Sequence, residues 1–428
     1  MSDLYRTAIQ ARFAKAPQLP PLPGEDEEED EGGDSVGSLP TGMGPPAAPF
    51  RTPRTTRKNA PNPSYSPISA SSFFEQAMQV SVPESDLDFR VYYTAPKFED
   101  GTVMICHHGA GYSGLSFACT AKEVTDMSKG ECGVLSYDCR GHGKTKHISS
   151  PNISEQENLD VEVLTSDFVN LIRVVFPDVE KAPSLLLVGH SLGGSVCVRA
   201  CPILQQHKYR ITGVAVIDVV EEFTLEALPL MHSLLNARPD GFDSPEEAIE
   251  WHVTTHTIRN PTSARVSVPG IIVPAPDGSP ASAPAYVWRT PLRSTAPYWT
   301  SWFTGLSSKF LASRTARLLI LAGTERLDKE LMIGQMQGKF QLVVIPNVGH
   351  MVHEDDPTRM AETLVEFWRR NERVVVGVKK IRPDRVSMPI SDHLEGHLMA
   401  CIHCTAIGQA IRAKHSVSVS AQRRVIEG

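Results

Sequence analysis

The pentapeptide Gly189-His190-Ser191-Leu192-Gly193 constrains this chain more than any other feature. It directly follows an apolar run, Leu185 to Val188, and precedes the small residues Gly194-Ser195-Val196 that can open a helix. A strand that passes through G-x-S-x-G into a helix must make a sharp, strained turn. Glycines are needed where the backbones come close, and the serine hydroxyl is left exposed with a helix N-terminus pointing its dipole at developing negative charge. Such a turn needs a sheet to carry it.

The surrounding pattern supplies one. Phe89 to Tyr93, Val103 to Cys106 and Val134 to Tyr137 read as strands, Leu185 to Val188 as a short apolar one, and Val214 to Ile217, Leu318 to Leu321 and Leu342 to Ile345 as later ones. Leu164, Phe168, Leu171, Ile172 and Val175 recur at helical spacing and suit a crossover helix returning the chain to a parallel neighbour. Asp356-Pro357 opens a last helix carrying Ala361, Leu364, Val365 and Trp368. The expected fold is α/β, a mostly parallel, doubly wound sheet of the α/β-hydrolase type. Between about Glu221 and Leu311 the strand rhythm stops, and helical Glu246 to His252 alternates with a Pro/Ala/Ser stretch from Pro269 to Ala285. This reads as a helical cap inserted into the sheet.

A chain of 428 residues has the length for two or three domains, yet its apolar periodic segments run from about Phe89 to Trp368, which implies one core. Residues 1–75 hold proline clusters and an acidic run, too polar to order themselves; a catalytic domain is expected over 76–370, with its cap at about 221–311, and a poorly ordered extension over 371–428. The net charge of −7 matches the seven acids of Glu25 to Glu31, so the remainder is near neutral and no nucleic-acid partner is implied. No leader or membrane-spanning stretch is evident, and a soluble cytoplasmic protein is expected, with the nucleus as a second compartment and no membrane partner. The eight cysteines are scattered, and Cys106, Cys132, Cys139 and Cys197 sit in or beside apolar runs as reduced thiols. Cys401-Ile402-His403-Cys404, with His393 and His397 upstream, lacks a second C-x-x-C, so neither a metal nor a cofactor is expected.

The chemistry implied is nucleophilic attack by Ser191 on an ester carbonyl. The oxyanion formed needs two backbone donors, which are assigned to the amides of Leu192 and of Ala110 in His108-Gly109-Ala110-Gly111, each worth about 3 kcal/mol in the transition state. The base comes last in the order serine, acid, histidine, and His350 in Val348-Gly349-His350-Met351 follows the final strand. His353 is read as facing away, His190 as structural, and His107 and His108 as part of the oxyanion loop. Two acids compete: Asp328, after the Leu318 to Leu321 strand, and Asp218, at the end of the preceding one. Spacing alone prefers Asp328.

Several longer runs go beyond these motifs. Ile217-Asp218-Val219-Val220-Glu221, Ser263-Ala264-Arg265-Val266-Ser267, Leu331 to Phe340 and Val348 to Asp355 resemble the protein phosphatase methylesterase family, and the likeness covers roughly Ser66 to Trp368. It extends to Ala248-Ile249-Glu250-Trp251 and Tyr298-Trp299-Thr300-Ser301-Trp302-Phe303. The resemblance implies that the triad acid is Asp218. It also implies hydrolysis of the methyl ester on the C-terminal leucine of the protein phosphatase 2A catalytic subunit, with release of methanol and no metal or cofactor. Specificity for a protein tail then comes from docking surface, and Met336 and Gln337 are the candidate substrate contacts. A small-ester carboxylesterase and a non-catalytic phosphatase-binding scaffold are the alternatives. The short Pro269 to Ala285 stretch stands where some family members carry a long acidic insertion, and no resemblance extends past about Pro383.

Overall fold

The computed structural model describes residues 60–149, 157–280, 282–323 and 327–372. Twelve strands are described: β1 (Gln76–Val82), β2 (Leu87–Thr94), β3 (Thr102–His107), β4 (Cys132–Tyr137), β5 (Lys146–His147), β6 (Ser184–His190), β7 (Ile211–Ile217), β8 (Gly241–Phe242), β9 (Ile272–Pro274), β10 (Tyr286–Trp288), β11 (Ala316–Ala322) and β12 (Gln341–Ile345). The main sheet has the order β1-β2-β4-β3-β6-β7-β11-β12, and β5 pairs with β2. The β1/β2 and β2/β4 pairs are antiparallel, and every pair from β4 through β12 is parallel.

The continuous apolar runs of the inner strands follow from burial on both faces. Val103, Ile105, Leu185, Leu187, Val214, Val216, Leu319 and Leu321 face one core. That core includes residues of the helices Val161–Val175 and Leu192–Gln206. Their strand neighbours Met104, Cys106, Leu186, Val188, Ala215, Ile217, Leu318 and Ile320 face the other core, shared with the helices Ala118–Met127 and Pro357–Asn371. Each fully buried Leu, Ile or Val is worth about 1.5–3 kcal/mol. The last helix starts where Asp356-Pro357 placed it: the Asp356 carboxylate accepts the Arg359 amide at 3.0 Å, and Trp368 is fully buried at the other end.

Two expectations change. The folded region reaches back to residue 60, before the boundary drawn at 75. Ile68 N–H donates to Arg265 O at 3.0 Å, Arg265 Nε donates to Ser66 O at 2.6 Å, and Phe74 is buried. Tyr65, Ile68 and Phe74 provide apolar anchors that outweigh the Ser/Pro composition between them. Residues 1–59 and the cluster His393, His397, Cys401 and Cys404 lie outside the described residues.

The insertion over 221–311 is also not purely helical. It holds the helices Glu221–Ala237, Pro245–Thr254, Pro261–Ser267, Trp299–Phe303 and Leu306–Ala312, but also a small antiparallel sheet, β8-β10-β9. The proline-rich stretch contains β9 itself and, over 275–285, the connection of the β9–β10 hairpin, closed by Ala275 N–H to Ala285 O at 2.8 Å. The six described cysteines are free thiols. Among the described residues no helix is long and apolar enough to cross a membrane, and no cluster of His, Cys, Asp and Glu is placed to hold a metal.

Candidate active site

Ser191 stands between β6 and the helix Leu192–Gln206 with φ +50° and ψ −118°. A non-glycine residue in the left-handed region is strained and persists only where its surroundings fix it. Here Ser191 N–H donates to Ile217 O at 3.0 Å, and Gly194 N–H donates to Ser191 O at 2.9 Å. The flanking glycines are required by close approach: a β-carbon at Gly189 would lie 2.2 Å from Gly193 O, and one at Gly193 would lie 2.2 Å from His107 O.

His350 follows β12, and its side chain is 53% exposed. Its Nδ1 lies 2.7 Å from Asp218 Oδ2. Asp218, at the end of β7, is held on three sides: its N–H donates to Ile320 O at 2.7 Å, its Oδ1 accepts Ala322 N–H at 2.8 Å, and Oδ2 faces the imidazole. A carboxylate at Nδ1 holds the proton on that nitrogen and leaves Nε2 as the basic site. Asp328, the acid that spacing preferred, is brought to a different task. Its Oδ1 accepts Leu331 N–H at 2.8 Å as the N-cap of the helix Lys329–Met336, and its Oδ2 accepts the Ser307 hydroxyl. The structure therefore brings Asp218, not Asp328, to His350. No hydrogen bond joins the Ser191 hydroxyl to His350 in this structure; such bonds commonly tighten only with substrate in place.

The loop His108 to Gly111 lies against Ser191, since a β-carbon at Gly109 would come 3.3 Å from Ser191 Cβ. Ala110 N–H donates to no described group. Leu192 N–H opens its helix and has no intrahelical acceptor. Neither amide is engaged by another described group. Leu292 of the insertion closes over this loop, where a β-carbon at Gly111 would come 2.6 Å from Leu292 Cδ1.

Five histidines around this turn, His107, His108, His142, His190 and His353, are buried, and burial lowers each of them so that they are neutral. Desolvation holds His190 well below its usual range, and its Nε2–H donates to His350 O at 2.9 Å, so it braces the backbone that carries His350. His353 does not face away into solvent: it is fully buried, stacked on Phe117 at 4.3 Å, and pushed down to about 3 by burial. Sequence reasoning missed two residues that support the site. Glu221 accepts Gly305 N–H at 2.7 Å and Ser307 N–H at 2.9 Å, tying the end of β7 to the start of the helix Leu306–Ala312. His142 accepts Gly111 N–H at 2.9 Å. Met336 is 83% exposed at the end of its helix, with Gln337 as the C-cap.

The Alpha/beta hydrolase family matches residues 104–363. A solved structure, E-2-(acetamidomethylene)succinate hydrolase, superposes with a TM-score of 0.54 at 17% identity, over 69% of this chain and 99% of that one, a likeness of fold. Protein phosphatase methylesterase 1 of Cryptococcus neoformans var. neoformans serotype D is 47% identical over 420 residues, covering 89% of this chain and 95% of that protein. The Aspergillus fumigatus protein of the same name is 39% identical, over 87% of this chain and 90% of that protein. The Saccharomyces cerevisiae one is 36% identical, over 88% of this chain and 96% of that protein. With that identity sustained across nearly the whole of each relative, on an α/β-hydrolase fold, this chain belongs to the protein phosphatase methylesterase family.

Proposed function

We propose that this chain hydrolyses the methyl ester on the C-terminal leucine of the protein phosphatase 2A catalytic subunit, with Ser191, His350 and Asp218 as its triad. The observation that carries the reading is the 2.7 Å contact of His350 Nδ1 with Asp218, in a chain whose Ser191 is held at φ +50° on the strand-to-helix turn. His350 Nε2 takes the Ser191 proton as Oγ attacks the ester carbon. The oxyanion sits on the Ala110 and Leu192 amides. The imidazolium, stabilised by Asp218, then protonates the departing methoxide oxygen, and methanol leaves. Water, deprotonated by His350, attacks the acyl-enzyme; the leucine carboxylate is released and the proton returns to Ser191. This chemistry calls on no metal or cofactor.

The catalytic domain in this reading spans 76–370, with the strap 60–75 laid across it and the insertion at 221–311 as its cap. A half-exposed base suits a substrate that is the tail of a large protein. Met336 and Gln337 are the proposed contacts with that protein. Their helix runs back from the C-terminal end of β11, so they would meet the body of the phosphatase and not the ester itself. Exposed Met332 and Ile333 extend the same surface.

The test is release of methyl from the carboxymethylated phosphatase 2A catalytic subunit by wild type and by Ser191→Ala. Loss of methyl with wild type alone is expected. Hydrolysis of simple esters while the phosphatase stays methylated would replace this reading with a general carboxylesterase. Absence of fluorophosphonate labelling at Ser191 would leave only a binding scaffold.

A further inference from the structure

Two loops meet beside Ser191: the one after β3, which carries Ala110, and the one after β4, which carries His142. They are joined by a reciprocal pair of imidazole acceptors. His108 Nε2, on the first loop, accepts Cys139 N–H of the second at 3.1 Å; His142 Nε2, on the second, accepts Gly111 N–H of the first at 2.9 Å. A ring nitrogen that accepts carries no proton, so in each ring the proton is on Nδ1. From there His108 donates to Gly109 O at 2.8 Å and His142 donates to Arg140 O at 2.8 Å. Both rings are buried, 1% exposed or less. Burial holds His142 down at about 4 and His108 well below its usual range, so both accepting lone pairs persist at neutral pH.

The consequence lies in peptide planarity. The N–H of Ala110 and the C=O of Gly109 belong to one planar trans unit and point in opposite directions. That carbonyl accepts from His108 Nδ1 at 2.8 Å and from Tyr112 N–H at 3.2 Å, which sets the direction of the Ala110 N–H. The next peptide is set by the Gly111 bond to His142. Ala110 therefore sits between two fixed planes.

We propose that His142 is a positioning residue of the oxyanion hole, acting through its Nε2 on the Gly111 amide and so on the aim of the Ala110 amide. The proposal rests on the reading of Ala110 and Leu192 as the oxyanion donors. A donor preorganised by such bonds costs no reorientation when charge develops, and a mis-aimed one loses more of its contribution in the transition state than in the ground state.

The discriminating pair is His142→Asn against His142→Gln. An Asn amide reaches about as far as Nδ1 and can keep the Arg140 bond but not the Gly111 one; a Gln carbonyl extends to about the position of Nε2. For methyl release from the methylated phosphatase, His142→Asn should lower kcat roughly 10–100-fold with KM little changed. The inhibition constant of an alkyl trifluoromethyl ketone, which forms a tetrahedral oxyanion adduct with Ser191, should rise by the same factor. His142→Gln should recover most of both. Equal kinetics for the two variants, or a rise in KM with kcat intact, would overturn the proposal. Should His142→Asn lose its fold, His142→Gln still decides: a well-folded Gln variant as impaired as Ser191→Ala would show that acceptance from Gly111 is not the function of this ring. Failure of the underlying reading has a separate signature. Wild type would then bind the trifluoromethyl ketone no more tightly than the matching methyl ketone, whatever stands at position 142.

Discussion

At the scale of single residues, the two acids offered by the sequence are separated by what surrounds them. Asp218 gives one oxygen to His350 and the other to a backbone amide, whereas both oxygens of Asp328 are occupied in capping a helix and holding Ser307. Asp218→Asn should keep the fold and lower kcat by about 10⁴, because the imidazole loses the partner that fixes its tautomer. Asp328→Asn retains a capping side chain and should cost at most about 1 kcal/mol of stability with kcat nearly unchanged. Methyl-release kinetics and thermal melts on the two variants decide the matter, and the reverse pattern would move the acid to Asp328. Ser191 and His350 were legible because the elbow motif and the order of the triad point to them directly. Asp218 was not legible from spacing, since Asp328 occupies the commoner place; only the resemblance carried by Ile217 to Glu221 singled it out. His142 gave no signal, because a histidine in a Gly-rich loop after a strand shows nothing of the amide it will meet.

At the scale of elements, the inner strands could be read because a parallel sheet covered on both faces writes itself as unbroken apolar runs. β1 was missed for the converse reason. It is an edge strand with mostly exposed or half-exposed residues; the alternation of Met78, Val80 and Val82 with polar residues is a strand signal, but a short one that makes no unbroken apolar run. The strands β8, β9 and β10 have only two or three residues each, too short for any period to show.

One inter-element contact carries a prediction. Glu354, in the short helix Val352–Asp355, is fully buried against the insertion helix Pro261–Ser267, where its Oε2 accepts the Ser267 hydroxyl at 2.6 Å. Desolvation raises its carboxyl well above the usual range, so the folded protein keeps a proton that the unfolded chain releases above about pH 4.5. That difference lowers stability as pH rises, by about 1.4 kcal/mol per unit until the folded group itself titrates. Glu354→Gln removes the titration. Its melting temperature should match wild type near pH 4 and exceed it increasingly toward pH 7; a gap independent of pH would show that Glu354 is ionised in the fold.

At the scale of the whole molecule, the buried histidines dominate the response to acid. His107, His108, His142, His190, His252 and His353 are all desolvated and all pushed below the ordinary value of 6.5, four of them to about 3 or 4. In the unfolded chain each takes a proton below pH 6.5; in the fold it stays neutral. The unfolded state therefore binds more protons, and stability, fully present above pH 6.5, is lost as pH falls toward the folded values. Each such histidine contributes a slope approaching 1.4 kcal/mol per pH unit, so the six together are large against a typical total of about 5–15 kcal/mol. The buried carboxyls Asp138, Glu354 and Asp355 work in the opposite direction, since their raised values favour the fold as pH drops toward 4, but they are half as many. The net expectation is a urea midpoint that is highest near neutral pH and drops steeply between pH 6.5 and 5. Because His190 packs on His350 and His353, and His108 packs on His142 in the loops beside Ser191, activity should be lost over the same interval as structure. A midpoint unchanged down to pH 5 would mean that the rings are already charged in the fold, and with them the acceptors on which the oxyanion loop depends.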